Sequence, residues 1–400
     1  MIRSRFSALI RWAPSLFFWT MVFAPSVHGV ELGEGLQAHG FISQGMSLTS
    51  DNNFGGNSDS GPAWDLREAG ANLSWRPTPD WLVSGQALAR WAGETDNGDL
   101  RLDYGFVDRS LLADGETQVG VRLGKLKNPL GFYNTTRDVA HTRPGIIMPQ
   151  SIYMDRGRNF WLVASGLSLY GNREHANNAV SWQISAFEPE VDDSDLNYLM
   201  LGRDFGGEFH GRSSWLGQIM YEREGGLWRA GLSLGDLAIK YRPGVVDPFN
   251  AGHTDLSTWV LSLEHNSENW SVTAEYGQTE VRSREYGIPI VERDNTTEAW
   301  YVQATRRFSG DWQVFLRYDV FYFDKSDHSG EDFASIAGAN PWIRYAKDWT
   351  LGVRKDIDRW TLSAEWHQID GTAWLSPADT PYNQQSQEWD LLLLQAAWRF

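Results

Sequence analysis

The sequence contains no cysteine in its 400 residues, which excludes disulfide bonds, thiolate metal sites and cysteine nucleophiles. Positive charge is also scarce, since 35 Lys and Arg stand against 51 Asp and Glu and the formal net charge is −16. We expect no nucleic-acid partner, because phosphate binding requires clustered Lys and Arg over a whole face. The histidines are scattered without the spacing of metal ligands, so we predict neither a metal nor a cofactor.

Long hydrophobic runs are lacking too, apart from one near the start of the chain. Residues 1–29 contain Arg3, Arg5 and Arg11, no acidic residue, and the apolar run LFFWTMVFAP ahead of Gly29. This pattern predicts a signal peptide that is cleaved near Gly29 and directs export. A membrane anchor would need about 20 apolar residues, and this run is shorter.

Aromatic residues are abundant: 21 Trp, 14 Tyr and 19 Phe make up 14% of the chain, while charged residues make up 22%. Two kinds of exported protein combine these features. One is a secreted β-sandwich or carbohydrate binder. The other is a membrane β-barrel, in which apolar residues occupy only every second strand position.

Apolar and polar residues alternate along much of the chain, which is typical of strands with one apolar face. In WQVFLRYDVFY, residues 312–322, the apolar positions share one face and Gln313, Arg317 and Asp319 share the other. Strands also begin with tryptophan directly after a tight turn, at Trp81, Trp270, Trp312 and Trp360. This placement favours the membrane barrel, because aromatic side chains form girdles at the membrane interface.

About sixteen strands follow from this pattern, and short turns alternate with long loops between them. We therefore predict an all-β, transmembrane antiparallel barrel over residues 30–400, with short periplasmic turns and long extracellular loops. The longest loop covers about 128–161 and follows the fifth strand. The predicted strands start near residues 36, 65, 81, 100, 117, 162, 179, 212, 227, 256, 270, 297, 312, 344, 359 and 387.

Three features resemble Gram-negative outer-membrane porins. The last strand, EWDLLLLQAAWRF, ends in Phe400, as outer-membrane proteins typically do. The long third extracellular loop resembles the constriction loop of trimeric porins. Gly124, Lys127, Pro129 and Gly131 are similar to the Gly-x-x-Lys-x-Pro-x-Gly region of phosphate-selective and related anion porins, with Met154-Asp155-Arg156 and Gly166 as a downstream match.

The resemblance implies a homotrimer in the bacterial outer membrane, in contact with its lipid and lipopolysaccharide. It also implies an inward-folded loop that narrows a channel for small hydrophilic or anionic solutes, without catalysis. A hydrolase that uses His265 or His367 is not favoured, because the sequence contains no serine elbow.

Charged residues of the loop and of the polar strand faces are the candidate site. The stretch from Lys125 to Arg158, which includes most of this loop, carries a net charge of +4, and a ring of cations favours anions. These cations either fix the loop on the wall and create a transverse field, bind an anionic solute, or lie in solvent. The loop set is Lys125, Lys127, Arg137, Asp138, Arg143, Asp155, Arg156 and Arg158. The pore-wall set is Arg90, Arg101, Asp103, Arg109, Arg122, Arg317, Asp319 and Arg354, and Glu264, Glu275 and Glu365 share the polar face.

The sequence thus predicts a passive channel with a weak anion preference. One alternative is a substrate-specific channel, in which Phe132, Tyr133 and Tyr153 join the arginines in a binding track for an anion. Another is a non-conducting barrel with a surface or adhesion role.

Overall fold

Sixteen antiparallel strands close into one barrel in the computed structural model, which describes residues 30–191 and 194–400. The predicted signal peptide, residues 1–29, lies outside the described residues. A short strand β1 (Val30–Gly33) forms a hairpin with the first barrel strand. The barrel strands are β2 (Leu36–Thr49), β3 (Arg67–Thr78), β4 (Trp81–Trp91), β5 (Arg101–Ala113), β6 (Thr117–Lys127), β7 (Val163–His175), β8 (Asn178–Pro189), β9 (Glu208–Arg223), β10 (Trp228–Arg242), β11 (His253–Asn266), β12 (Trp270–Arg284), β13 (Asp294–Phe308), β14 (Trp312–Tyr322), β15 (Tyr345–Ile357), β16 (Trp360–Gly371) and β17 (Glu388–Arg399).

The helices are short and lie in the connections: α1 (Arg158–Leu162), α2 (Ser194–Leu201), α3 (Glu331–Ala337), and the 3₁₀ helices Ala140–Thr142 and Pro341–Arg344. In residues 30–191 and 194–400, no helix is long and apolar enough to cross a membrane.

The barrel closes where its last strand pairs with its first. Strand β17 pairs with β2 from Leu391 opposite Thr49 to Arg399 opposite Phe41. Phe400 continues this ladder, because its amide donates to the carbonyl of Gly40 at 3.0 Å and its carbonyl accepts from the Gly40 amide at 3.3 Å. Closure leaves no exposed barrel edge, and the predicted sixteen-strand barrel is confirmed.

The connections differ in length at the two ends of the barrel. Turns of a few residues join the strands at one end, here called the turn end. One is the turn between β13 and β14, where Gly310 and Asp311 adopt positive φ angles of 74° and 60°. At the opposite end, the loop end, the connections span residues 50–66, 92–100, 128–162, 190–207, 243–252, 285–293, 323–344 and 372–387.

The outer face of the barrel is apolar and carries two lines of aromatic side chains. Trp270 and Trp312 are about half exposed at the turn end. The second line crosses neighbouring strands, and the rings of Tyr318 and Trp349 stack with centroids 4.3 Å apart. Six residues separate Trp312 from Tyr318, or about 20 Å along strand β14. This spacing suits the apolar band of a membrane barrel.

One predicted wall residue faces outward because a β-bulge interrupts β5. Gln86 pairs with Tyr104 and Ala87 with Leu102, so Asp103 is an extra residue and the alternation reverses after it. Arg109 consequently pairs opposite Trp81, and its guanidinium lies 4.8 Å from the centroid of that ring on the outer face. The prediction that Arg109 lines the pore wall is wrong.

Candidate functional site

The connection 128–162, here called the lumen loop, crosses the interior of the barrel. It leaves β6 and contacts β14, which lies eight strands away, on the far side of the wall. The amide of Ser151 lies 3.3 Å from each carboxylate oxygen of Asp319. The guanidinium of Arg317 donates to the carbonyl of Ile147 at 3.4 Å. The loop therefore spans the full width of the lumen.

Glu275 of strand β12 holds two separate parts of the lumen loop. It accepts hydrogen bonds from the amide of Phe132 at 2.9 Å and from the hydroxyl of Tyr153 at 2.6 Å. The hydroxyls of Tyr301 and Ser262 on neighbouring strands donate to the same carboxylate. The buried carboxylate thus accepts hydrogen bonds both from the lumen loop and from the two neighbouring strands.

Gly131 allows the loop to approach this carboxylate closely. Its φ angle is 59°, a conformation that favours glycine, and a Cβ at this position would clash with the hydroxyl of Tyr153. The Gly131 amide donates to the hydroxyl of Ser233 at 3.0 Å. Steric exclusion of any side chain therefore explains why the last position of the short porin-like motif is a glycine.

On the β3–β4 side of the lumen, buried ion pairs fix the loop. Arg143 contacts Glu68 at 2.5 Å, and both side chains are 6% exposed. Arg90 contacts Glu68 at 3.2 Å and Asp155 of the loop at 3.4 Å. Glu68 therefore lies between a loop arginine and a wall arginine.

A second group of charges surrounds Asp138 at the root of the loop. Asp138 pairs with both Lys127 and Arg158, and Lys127 also contacts Asp103 at 2.6 Å. Burial opposes ionisation of Asp138, but the charges of Lys127 and Arg158 outweigh it and hold the pKa of Asp138 well below its usual range. Burial also opposes ionisation of Asp155, but the charges of Arg90, Arg137 and Arg158 outweigh it and lower the pKa of Asp155.

Arg137 is the most enclosed cation of the loop. It contacts Asp155 at 2.8 Å and the carbonyl of Tyr153 at 2.7 Å, and its side chain has no exposed surface. Burial and the charge of Arg158 lower the pKa of Arg137 to about 9. The loop cations Lys127, Arg137, Arg143 and Arg158 therefore pair within the protein, and Lys125 pairs with Glu190 at 2.6 Å. Arg156 differs and contacts only neutral groups.

The predicted wall residues other than Arg109 lie on the lumen side. Arg101 contacts Asp96 at 3.3 Å, and Arg122 contacts Asp108 at 2.7 Å. Arg354 contacts Asp356 at 2.9 Å. The wall is therefore mixed in sign, as its strand pattern indicates, and most of its cations have a carboxylate partner.

On the turn-end side of the loop, the lumen contains a polar cavity with about 750 Å³ of empty space, here called the polar chamber. Both the wall and the loop line it, and its charged residues are Arg143, Glu264, Arg307, Arg354 and Glu365. The chamber lining is therefore mixed in charge.

On the loop-end side lies a cavity with about 890 Å³ of empty space, here called the apolar chamber. Its wall includes Leu256, Val260, Val281 and Phe321, which lie on the lumen face of their strands. Ile152 and Met154 of the loop complete it. The alternation of apolar and polar residues does not predict this chamber. The available signal was the apolar residues Leu256, Val260 and Val281 on the otherwise polar-patterned faces of β11 and β12.

The histidines considered for catalysis lie apart. His367 is fully buried in the wall, with Nδ1 2.8 Å from Asp348 and Nε2 3.2 Å from Glu365. His265 packs against Trp228, with ring centroids 4.3 Å apart. Among the described residues, no group of three or more His, Asp or Glu side chains could hold a metal ion.

Solved outer-membrane proteins share this fold. The channel DcaP of Acinetobacter baumannii superposes with a TM-score of 0.56 at 13% identity, covering 94% of this chain and all of that one. OmpF of Salmonella typhi, in complex with daunomycin, gives 0.55 at 12% identity and covers 92% of this chain and 98% of that one. OmpT of Vibrio cholerae, folded in vitro, gives 0.56 at 9% identity and covers 93% and 100%. No protein-family model matches the chain, and no curated protein matches its sequence.

Proposed function

We propose that this chain, which has the fold of outer-membrane porins, is itself a porin of the bacterial outer membrane. It provides a water-filled path for passive diffusion of small hydrophilic solutes and carries out no covalent chemistry. The loop end then faces the exterior and the turn end faces the periplasm. The predicted signal peptide supplies the export step.

The observation that carries the proposal is the lumen loop. A barrel of sixteen strands is wide enough to hold an aqueous channel. Here one internal loop crosses that space and is bonded to opposite walls through Asp319, Glu275 and Glu68. A loop held in this way sets the width and the charge of the path. Loop position is therefore the property that determines permeation.

Charge pairing in the loop favours one of the predicted roles of its cations. They fix the loop on the wall and create a weak transverse field, rather than form a dense binding site for anions. Five of the six cations between Lys125 and Arg158 contact carboxylates: Lys125, Lys127, Arg137, Arg143 and Arg158. The net positive charge of the loop still biases the lumen, so the proposed selectivity is a weak preference for anions.

We also propose a homotrimer, with subunit contacts through the outer face of β3 and β4. On that face Ala71 pairs opposite Ala87 and Ala69 opposite Ala89, in contrast to the large aromatic side chains elsewhere. Small side chains let neighbouring backbones approach closely within a membrane. The in-vitro folded OmpT of Vibrio cholerae includes a trimer form, with a TM-score of 0.51 at 10% identity.

Planar-bilayer recording of the purified protein tests the channel proposal. Stepwise increases in current on insertion, with a reversal potential slightly toward anions in a salt gradient, are the expected result. A barrel with a surface or adhesion role would insert without such steps. Clear cation selectivity would remove the anion preference and leave the channel in place.

A further inference from the structure

Three arginines meet at the loop end around a cavity with about 730 Å³ of empty space, here called the arginine pocket. Arg156 comes from the lumen loop, Arg293 precedes β13, and Arg344 ends the 3₁₀ helix Pro341–Arg344. In the part of the chain that the structure describes, no carboxylate forms an ion pair with any of the three. This sets them apart from the paired cations of the loop.

Neutral groups hold these guanidinium groups in place. Arg156 donates to the carbonyl of Tyr198 and to the hydroxyl of Tyr382, each at 2.7 Å. Arg293 donates to the carbonyl of Met200 at 3.0 Å. The Nε atoms of Arg156 and Arg293 are buried and have no hydrogen-bond partner among the described residues. The positions are therefore fixed while the charges are left uncompensated.

Arg344 lies between two aromatic rings. Its guanidinium carbon is 4.5 Å from the ring centroid of Phe323 and 4.3 Å from that of Phe333. Such contacts orient the cation without neutralising it. The planar group keeps hydrogen-bond donors on its edges, and a carboxylate is the anion that fits this fork.

The arginines also repel one another. Burial and the charge of Arg293 lower the pKa of Arg344 to about 9, although the nearby carboxylates of Asp324 and Asp327 act in the opposite direction without forming an ion pair with it. Burial together with the charge of Arg156 lowers the pKa of Arg293. Neighbouring cations in a partly desolvated pocket raise the free energy of the empty site. A bound anion would relieve this repulsion.

The arginine pocket adjoins the apolar chamber. Leu199, Met200, Arg293 and Phe323 line both cavities. No acidic residue lines either one among the described residues. A ligand that fits both cavities has an anionic head and an apolar body, and each cavity falls in the usual size range of small-molecule sites, about 300–1,000 Å³.

We propose that the loop-end half of the lumen is a binding site for an organic carboxylate with an aromatic or aliphatic body. The carboxylate lies among Arg156, Arg293 and Arg344, and the body enters the chamber formed by Leu256, Val260, Val281 and Phe321. An inorganic anion would leave the chamber empty, and a neutral apolar molecule would leave the arginines uncompensated. Binding depends only on this geometry, whereas passage of the bound molecule rests on the proposed channel function.

The test measures binding of labelled 3-phenylpropanoate by equilibrium dialysis to the full-length mature protein in lipid nanodiscs. Empty nanodiscs correct for partition into lipid. We expect saturable binding that 3-phenylpropanamide and acetate compete for only weakly, because each lacks one half of the ligand. Equal competition by acetate would show a site for small anions alone. Equal competition by the amide would show that the arginines contribute nothing, and either result would overturn the proposal.

Three variants address the two halves of the site. Arg344→Gln removes one cation, and we expect binding to weaken about tenfold, the scale of one hydrogen bond to a charged group. Arg344→Lys should recover part of the loss. Ala299→Leu fills the apolar chamber, which Ala299 lines, and should weaken 3-phenylpropanoate binding more than acetate binding.

Arg282→Gln is the matched control, because Arg282 is exposed and pairs with Glu280 outside both cavities. Circular dichroism of each variant shows whether the barrel is folded. If Arg344→Gln folds and binds like the unsubstituted protein, the proposal is wrong. Binding without current steps in bilayers would contradict the channel alone, whereas current steps without binding would contradict this site alone.

Discussion

The hydroxyl of Tyr153 donates a hydrogen bond of 2.6 Å to Oε2 of Glu275, and this contact joins the lumen loop to strand β12. The other oxygen of the same carboxylate accepts from the amide of Phe132 at 2.9 Å. Tyr153 is 1% exposed and Glu275 is 2% exposed. A single wall carboxylate therefore fixes two parts of the loop that are twenty-one residues apart.

Replacing this carboxylate should loosen the loop. In Glu275→Gln the amide keeps one acceptor oxygen and loses the charge, and each hydrogen bond to a charged group contributes about 1.5–3 kcal/mol. We expect single-channel currents that are larger and noisier, because the loop no longer stays on β12. Glu280→Gln, on the same strand but exposed, is the control and should leave the current unchanged. Identical current histograms for Glu275→Gln and the unsubstituted protein would show that this contact does not position the loop.

The second prediction concerns stability at the root of the loop. Asp138→Asn leaves Lys127 and Arg158 buried without their shared carboxylate, and breaking a buried ion pair costs about 3–5 kcal/mol. We expect a lower thermal unfolding midpoint by circular dichroism. Asp255→Asn disrupts an ion pair that is nearly half exposed on each side. Such surface pairs contribute about 0–1 kcal/mol, so its midpoint should change little.

The thermal unfolding midpoints of Asp138→Asn and of the unsubstituted protein should also respond differently to acid. The pKa of Asp138 is lower in the folded state than in the unfolded chain. Its contribution is therefore complete above the unfolded value and is lost as the pH falls below about 4 toward the folded value. The midpoint gap between Asp138→Asn and the unsubstituted protein should narrow on acidification. A gap that is constant with pH would contradict ionisation of Asp138 as the cause.

How far the sequence predicted this molecule depends on the range of the interactions involved. Strand positions follow from local alternation and turns, and every predicted strand start lies within four residues of the observed one, for example 212 against Glu208. The outward position of Arg109 was missed because one extra residue, Asp103, reverses the alternation. Composition around residue 103 does not distinguish a bulge from a regular strand.

The partners of the loop were beyond sequence reasoning for a different reason. Glu275 was assigned to the polar face correctly, but its contact with Tyr153 joins residues 122 positions apart. The arginine pocket likewise brings Arg156, Arg293 and Arg344 together from three separate loops. Alternation gives the face of each strand residue, whereas these contacts depend on how the long loops fold back into the lumen.

Ion selectivity can be tested at residues that do not hold the loop. Arg307 and Glu264 both line the polar chamber. Arg307 donates to the carbonyl of Ser267 and to the side chain of Asn266 at the turn end. Arg307→Gln should shift the reversal potential in a salt gradient toward cations, and Glu264→Gln should shift it toward anions. Shifts of the same sign, or no shift in either variant, would show that the polar chamber does not select ions.

The proposed subunit contact predicts an asymmetric response to bulky substitutions. Ala87→Trp places a large side chain on the small-residue face of β4 and should convert trimers to monomers in detergent. Leu261→Trp, on the exposed outer face of β11, should leave the oligomer intact. Light scattering coupled to size-exclusion chromatography gives the protein mass in each case. Trimers that persist in Ala87→Trp would place the contact elsewhere on the barrel.

Conductance of the unsubstituted protein in a planar bilayer tests the central claim most directly. A sixteen-strand barrel narrowed by a fixed internal loop should give discrete, stable current steps with a weak anion preference. A folded protein that inserts into the bilayer without current steps would contradict the claim that its lumen is a channel.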